Sequence, residues 1–184
     1  MDSGNIGFVL LCAAFVFVMT PGLAMFYGGL VRKKNVVNTM MTSIFIIGVG
    51  IVMWVLFGYS LSFAPSGNAF IGDFRWLGLE GVSLTEGYTD DASIPNMVFS
   101  AFQMMFAVIT PALITGAVAG RMKFKSIFVF TIFWSLIVYY PLAHMVWGQG
   151  GLLGADGIGA LDFAGGDVVH ISSGITALVL AIIL

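Results

Sequence analysis

Apolar residues fill five long stretches of this chain, and the charged residues are confined to the segments between them. Asp, Glu, Lys and Arg are absent from residues 3–31, 35–72, 92–120, 126–155 and 168–184. A helix needs about 20 mostly apolar residues to cross a bilayer core of about 30 Å. The first four stretches exceed that length, and the sequence "LDFAGG" extends the fifth on its N-terminal side. Each stretch is therefore a candidate membrane span.

The stretches show no regular alternation of polar and apolar residues, which favours helices over the strands of a barrel. Hydrocarbon offers the backbone no hydrogen-bond partner, so a span must pair its own amide groups, as a helix does. We therefore predict an all-α polytopic membrane protein with five transmembrane helices. The expected spans are approximately 6–31, 36–63, 95–120, 124–147 and 163–184.

The composition supports this class, because 59% of the 184 residues are hydrophobic and only 9% are charged. Soluble domains carry about 25% charged residues. The net charge of −2 and the lack of a basic tract give no indication of a nucleic-acid partner, and the single cysteine, Cys12, cannot form an internal disulfide. The sequence contains no catalytic motif, metal-ligand cluster or nucleotide-binding loop. We accordingly expect neither an enzyme nor a bound metal or cofactor.

Six of the seven basic residues lie in two short connections, one after the first span and one after the third. They are Arg32, Lys33, Lys34, Arg121, Lys123 and Lys125. Short loops rich in Lys and Arg face the cytoplasm, which predicts an external N-terminus and an external connection over residues 64–94. The N-terminus lacks the basic region of a signal peptide, so the first span is expected to be retained. We expect a multi-pass protein of the cytoplasmic membrane.

Ionisable residues at the start of the fifth span need an explanation in an apolar setting. Asp162 suits a helix N-cap, because its carboxylate can accept backbone N–H bonds and the helix dipole favours an anion there; direct cation binding is the alternative. Ala164 and Gly165 leave room for a neighbouring backbone or a small ligand. Asp167 lies three residues before His170 and can share its helical face. It therefore lies in a solvated entrance, makes a second cap-like contact, or pairs with the imidazole.

His170 lies about two turns inside the span, where an ionisable side chain usually faces the bundle interior and marks a pathway. A hydrogen bond to a neighbouring helix is the structural alternative.

Structural roles are the default for the other candidates. His144 and Trp147 suit the membrane interface near the outer end of the fourth span, and Phe102 and Phe106 suit contacts with the core or with lipid.

Four segments occur in an order that resembles ammonium transporters of the Amt/Mep/Rh family: "MTPGLAMFYGGLVRKKNV", "AFQMMFAVITPALITGAVAGRMKF", "YYPLAHMVWGQGGLL" and "LDFAGGDVVHISSG". The resemblance covers nearly the whole chain, with only a loose match over residues 64–94. It implies eleven transmembrane helices in each monomer, two inverted five-helix repeats around one pore, and homotrimers. The chain looks like the first repeat, and its odd number of spans and lack of a basic anchor before Leu184 agree with that. We expect the front part of a longer protein, inactive when alone.

The resemblance also implies roles for individual residues. Phe102, Phe106 and Trp147 match the family's outer recruitment site for ammonium, and Phe106 also matches one of the phenylalanines that gate the entrance. His170 matches the first of two pore histidines. Asp162 matches an aspartate whose family role is chiefly structural.

Ala164 and Gly165 stand beside that aspartate at the expected pore entrance. The resemblance assigns no pore role to Asp167, because the family often has a threonine at this position.

The implied activity is transport of ammonium or ammonia across the membrane. Aromatic side chains would recruit the cation, the proton would be lost at the pore mouth, and ammonia would pass along a hydrophobic pore lined by histidines. Two alternatives stay open: an ammonium sensor with a transporter-like fold, and a Rh-like gas channel. A PII-type signalling protein is an implied partner on the cytoplasmic face, in addition to membrane lipid. The basic connections themselves are better explained as topology anchors.

Overall fold

The structure, a computed structural model, describes residues 1–65, 68–155 and 157–184. These residues form five helices that are long and apolar enough to cross a membrane, and they contain no strand. We number the helices α1 (Ser3–Leu30), α2 (Lys33–Phe63), α3 (Asn96–Val118), α4 (Phe124–Trp147) and α5 (Gly166–Ile183). The predicted all-α architecture with five long apolar helices is thereby confirmed. The orientation of the bundle in the membrane stays a prediction.

Three of the helices change their winding along their length. A π-helical turn occupies Trp54–Gly58 in α2, Ser135–Tyr139 in α4 and Gly166–Ile171 at the start of α5. Such wide turns frequently lie at functional sites. In α5 the π turn lets the amide of His170 donate to the carbonyl oxygen of Gly165, five residues earlier, at 2.9 Å. The first turn of α5 is therefore wider than an ordinary α-helical turn.

The central helix of the bundle is α3, which packs against α1, α2 and α5. Its close approach to α1 depends on Gly116, because a Cβ there would lie 2.5 Å from the ring of Tyr27. The Tyr27 hydroxyl donates to the carbonyl oxygen of Leu113 at 2.8 Å. Its approach to α2 uses Gly50, where a Cβ would lie 3.0 Å from the side chain of Val108. Small residues thus bring the three helices into close contact.

The long connections after α2 and after α4 meet at one end of the bundle, where the N-terminus also lies. The amide of Asp2 donates to the carbonyl oxygen of Ser93 at 2.8 Å, and the amide of Leu152 donates to that of Ala69 at 2.9 Å. The two basic connections, after α1 and after α3, lie at the opposite end because consecutive helices run in opposite directions. We call the end with the long connections the loop end.

Large aromatic side chains form the core beneath the loop end. Trp54, Tyr59, Phe63, Tyr139 and Tyr140 are each at most 1% exposed. The indole ring of Trp54 lies between 5.7 and 6.1 Å, centroid to centroid, from the rings of Tyr59, Phe63 and Tyr140. This packed layer joins α2 to α4 and provides a fixed support for the residues above it.

Candidate cation site at the loop end

A cavity of about 630 Å³ opens at the loop end between α3, the end of α4 and the segment that precedes α5. Most of its wall is aromatic or aliphatic. Six residues singled out from the sequence line it: Phe102, Phe106, Trp147, Asp162, Ala164 and Gly165. The fold therefore brings together residues that are up to 63 positions apart in the chain (102 to 165).

Three aromatic rings follow one another along one wall of this cavity. Phe102 and Phe106 are four residues apart on α3, so they share a helical face, and their ring centroids are 5.0 Å apart in an edge-to-face arrangement of 86°. The ring of Phe106 also meets the indole of Trp147, the last residue of α4, at 6.3 Å and 64°. The tilted rings present negative π faces, which attract cations. The three rings are thus suited to holding a small cation against their π faces.

Tyr88 and Phe99, which the sequence patterns did not predict as site residues, extend the aromatic lining. Their rings stack with centroids 4.8 Å apart and an interplanar angle of 7°. The Tyr88 hydroxyl accepts a hydrogen bond from the amide of Gln149 at 3.0 Å. Burial raises the pKa of Tyr88 to about 12, so this phenol is neutral at physiological pH. Tyr88 is one of four aromatic residues in the connection over residues 64–94, and nothing in the sequence distinguishes it from the other three.

Asp162 organises the start of α5 by accepting three backbone hydrogen bonds. One carboxylate oxygen accepts from the amide of Gly166 at 2.7 Å, and the other accepts from the amides of Asp167 and Val168 at 3.0 Å each. The sequence suggested Asp162 as the N-cap residue of α5, but Asp162 does not occupy that position. That position belongs to Gly165, whose left-handed φ of +76° turns the chain into the helix. The carboxylate instead reaches the helix from four residues before its first position.

The imidazole of His170 is anchored to the same turn. Its Nδ1 lies 2.8 Å from the carbonyl oxygen of Gly165. A carbonyl oxygen can only accept, so Nδ1 carries a proton and donates it. In the neutral ring, Nε2 is then an acceptor. His170 does not line the cavity, whereas the adjoining Gly165 does. The residue is exposed in the five-helix bundle, although its position in the span predicted a side chain that faces the bundle interior.

The possible pairing of Asp167 with His170 does not occur. In the described part of the chain neither residue forms an ion pair, and the His170 ring bonds to backbone instead. The physical reason is the π turn, because its larger number of residues per turn rotates position 170 away from position 167.

His144 was expected near the membrane interface at the outer end of the fourth span, and it lies close to the loop end of α4. Its side chain is fully buried. Its Nδ1 lies 3.1 Å from the carbonyl oxygen of Ser62, and its Nε2 lies 2.8 Å from that of Asn68. The ring therefore connects α4 to the end of α2 and to the long connection that follows it.

Comparison with known proteins gives a consistent result. The sequence model of the Ammonium Transporter Family matches residues 7–184. An ammonium transporter of Bacillus subtilis (strain 168) is 53% identical over 184 residues, which are 100% of this chain and 44% of the relative. The chain therefore spans less than half the length of that relative.

Solved structures show the same likeness. The crystal structure of Saccharomyces cerevisiae Mep2 superposes with a TM-score of 0.89 at 37% identity, covering 100% of this chain and 43% of Mep2. A protein described as a sensor Amt protein matches with a TM-score of 0.79 at 27% identity, covering 95% of this chain and 42% of that protein.

Proposed function

Because the chain belongs to the ammonium transporter family, we propose that it supplies the outer recruitment site and one wall of a path for ammonium or ammonia. The path crosses the cytoplasmic membrane. The proposal rests on the contact of Phe106 with both Phe102 and Trp147 around one cavity, with the Gly165–His170 hydrogen bond in the adjoining turn.

The first step is the capture of ammonium by the aromatic wall. A cation over an aromatic face gains about 0.5–2 kcal/mol, and more when both are desolvated. Phe102, Phe106 and Trp147 are each partly buried, so their faces are reachable from the cavity but shielded from bulk water. The neutral Tyr88 enlarges this aromatic surface without adding charge. Ammonium is concentrated at the entrance as a result.

The second step is the transfer of one ammonium proton to water at the outer mouth of the loop-end cavity, so that neutral ammonia enters the apolar region. A bare cation pays several kcal/mol to enter a hydrocarbon environment, whereas neutral ammonia does not. Nε2 of His170 is an acceptor in the neutral ring, so it can accept a hydrogen bond from ammonia beyond the Gly165 turn. Potassium has no proton to lose and is excluded by the same desolvation cost.

The same proposal includes the orientation, the assembly and the partner of the protein. The N-terminus and the loop end lie outside the cell, since the basic connections are at the opposite end. The complete transporter carries a second repeat that forms the other pore wall, and it assembles as a homotrimer. A PII-type protein binds its cytoplasmic face.

Uptake of methylammonium by the complete transporter tests the recruitment step. Phe106→Ala and Trp147→Leu each remove one π face and should raise KM by about 2–30-fold, the factor equivalent to about 0.5–2 kcal/mol. Phe133→Ala is the matched control, because this α4 phenylalanine is 58% exposed and does not line the cavity. An unchanged KM in both cavity variants, at normal membrane abundance, would overturn the recruitment site.

A sensing function is a second candidate, supported by the likeness to the sensor Amt protein. A sensor uses the same cavity to bind ammonium but passes the signal to a cytoplasmic module. Ammonium-dependent activity of such a module, without uptake that depends on His170, would favour sensing over transport.

A further inference from the structure

A second, much smaller cavity lies near the end of the bundle opposite the loop end, between α2, α3 and the first residues of α4. It shares no residue with the loop-end cavity. We call it the threonine cavity, after Thr39, Thr42 and Thr115 in its wall. About 10 Å³ of it is open to the centre of a water molecule, and one buried water needs about 10–15 Å³ by that measure. The cavity therefore has room for one molecule of the size of water.

The hydroxyl group of Thr39 lies buried in the wall of the threonine cavity without a hydrogen-bond partner. The residue is 4% exposed, and its Oγ1 has no partner within the ranges that the structure describes. A buried hydroxyl without a partner is destabilising, and native proteins usually satisfy such a group with protein atoms or with ordered water. Because the protein itself buries this oxygen, a partner can reach it only from inside the cavity.

The other two hydroxyl groups in the wall have donated their hydrogens but can still accept. Thr42 donates to the carbonyl oxygen of Asn38 at 2.7 Å. Thr115 donates to the carbonyl oxygen of Ala112 at 2.8 Å and contacts the Ser43 hydroxyl at 3.0 Å. A hydroxyl oxygen has two lone pairs, so each threonine keeps at least one of them free. The wall thus offers two acceptors beside one unpaired hydroxyl.

We propose that the threonine cavity binds one water molecule, which accepts a hydrogen bond from Thr39 and donates one each to Thr42 and Thr115. A buried water typically makes about three hydrogen bonds, so these three hydroxyl groups satisfy it. The water joins α2 to the last turn of α3, next to the basic connection that follows. The proposal concerns how the bundle is held together and does not depend on the proposed transport activity.

A small cation is a poorer occupant of this cavity than water, although hydroxyl oxygens can bind one. The described wall contains no carboxylate, and Arg121, Lys123 and Lys125 place positive charge in the adjoining connection. A cation would be repelled by these side chains and would lose its hydration without a compensating anion. A neutral molecule that both donates and accepts hydrogen bonds fits the wall better.

The direction of a stability change tests the bound water. Thr39→Val removes the hydroxyl at nearly constant shape and deprives the water of one hydrogen bond, so it should lower the Tm of the complete protein in detergent by about 1–4 °C. Thr20→Val is the matched control. Thr20 is fully buried, its Oγ1 also has no partner in the described residues, and it lies outside the cavity. Its substitution should leave Tm unchanged or raise it, because valine removes an unsatisfied hydroxyl.

A crystal structure of the complete protein, at a resolution that shows ordered water, provides the direct check. We expect one peak of density at about 2.7–3.2 Å from each of the three hydroxyl oxygens, and we expect this peak to be lost in Thr39→Val. Crystals soaked in thallous acetate test for a cation, because thallium scatters anomalously. We expect no anomalous peak in the cavity.

Three results would overturn the proposal. One is the lack of a density peak between the three hydroxyl groups of the unmodified protein. Another is a Tm for Thr39→Val that equals or exceeds that of the unmodified protein, as expected for Thr20→Val. An anomalous thallium peak among the threonines would show that a cation occupies the cavity instead.

Discussion

Nδ1 of His170 donates a hydrogen bond to the carbonyl oxygen of Gly165 across 2.8 Å, which ties the imidazole to the turn that lines the loop-end cavity. The bond orients the ring and fixes its neutral tautomer, so Nε2 is left as an acceptor. Gly165 lines the cavity at the entrance and His170 is the first residue of the proposed path, so this hydrogen bond connects the two. Orientation and chemistry at position 170 can be separated experimentally, because they depend on different ring nitrogens.

Two substitutions of His170 separate these roles. His170→Asn keeps a donor close to the position of Nδ1 but has no group at the position of Nε2, whereas His170→Ala removes both. We expect both variants to lower methylammonium uptake at least tenfold in the complete transporter. Only the alanine variant should also lose about 0.5–1.5 kcal/mol of stability, the net value of one hydrogen bond. Unfolding in detergent measures this difference. Unaltered uptake by a folded asparagine variant would contradict a transport role for Nε2.

Gly165→Ala tests the turn itself. Gly165 has a φ of +76°, and a Cβ there would lie 2.9 Å from Cγ2 of Val169. The left-handed conformation costs a non-glycine residue about 1–2 kcal/mol, and the contact adds to that cost. We expect lower thermal stability and lower uptake. The neighbouring Gly166→Ala is the control, because its Cβ would meet only Asp162 Oδ1 at 3.9 Å. Equal losses in the two variants would show that the backbone conformation at position 165 is not the cause.

Sequence patterns predict the long-range architecture better than they predict the start of α5. Runs of apolar residues are sufficient to predict five helices, because the bilayer demands that length and composition. The resemblance grouped Phe102, Phe106 and Trp147, and the structure brings them to one cavity. The α-helical period, however, wrongly predicted that Asp167 and His170 share one helical face. The sequence pattern did not predict the π turn that separates them.

The sequence also did not predict what the polar connections contribute to the cavity lining and to the contacts of His144. Tyr88 lies in a segment with no periodic pattern, and its stacking on Phe99 joins residues eleven positions apart in the chain. His144 has the sequence context of an interfacial residue, yet the end of α2 and the connection after it each provide one carbonyl partner for its ring. The position of a histidine along a span does not predict whether another segment of the chain buries it.

Replacement of Asp162 should affect folding more than selectivity. Asp162→Asn leaves one oxygen for three amide donors and places an NH₂ group among the others, so we expect a loss of about 1–3 kcal/mol of stability. Uptake should fall in proportion to the amount of folded protein, with little change in KM. Asp167→Asn is the control, since Asp167 forms no ion pair in the described residues. A large rise in KM for folded Asp162→Asn would instead favour direct cation binding by the carboxylate.

The buried phenol of Tyr88 should make stability fall at alkaline pH. Its folded pKa of about 12 lies above the ordinary tyrosine value of about 10. Between these values the unfolded chain has lost the proton and the folded chain has kept it, so stability decreases as pH rises through that window. Below about pH 10 the group contributes no pH dependence. Unfolding of the unmodified protein and of Tyr88→Phe across the window isolates this residue; an identical pH dependence for both would contradict the prediction.

His144 should stabilise the fold and should not take part in the proposed path for ammonia. Its ring is fully buried and lies against the carbonyl oxygens of Ser62 and Asn68, while it is absent from the lining of the loop-end cavity. His144→Leu keeps a similar apolar volume but removes the polar contacts, and a buried acceptor that loses its donor costs about 1–3 kcal/mol. We therefore expect lower thermal stability with nearly normal uptake per folded molecule. His170→Asn, measured in parallel, should show the reverse pattern of normal stability and lost uptake. If the two variants behaved alike, the division between a brace at position 144 and a path residue at position 170 would be wrong.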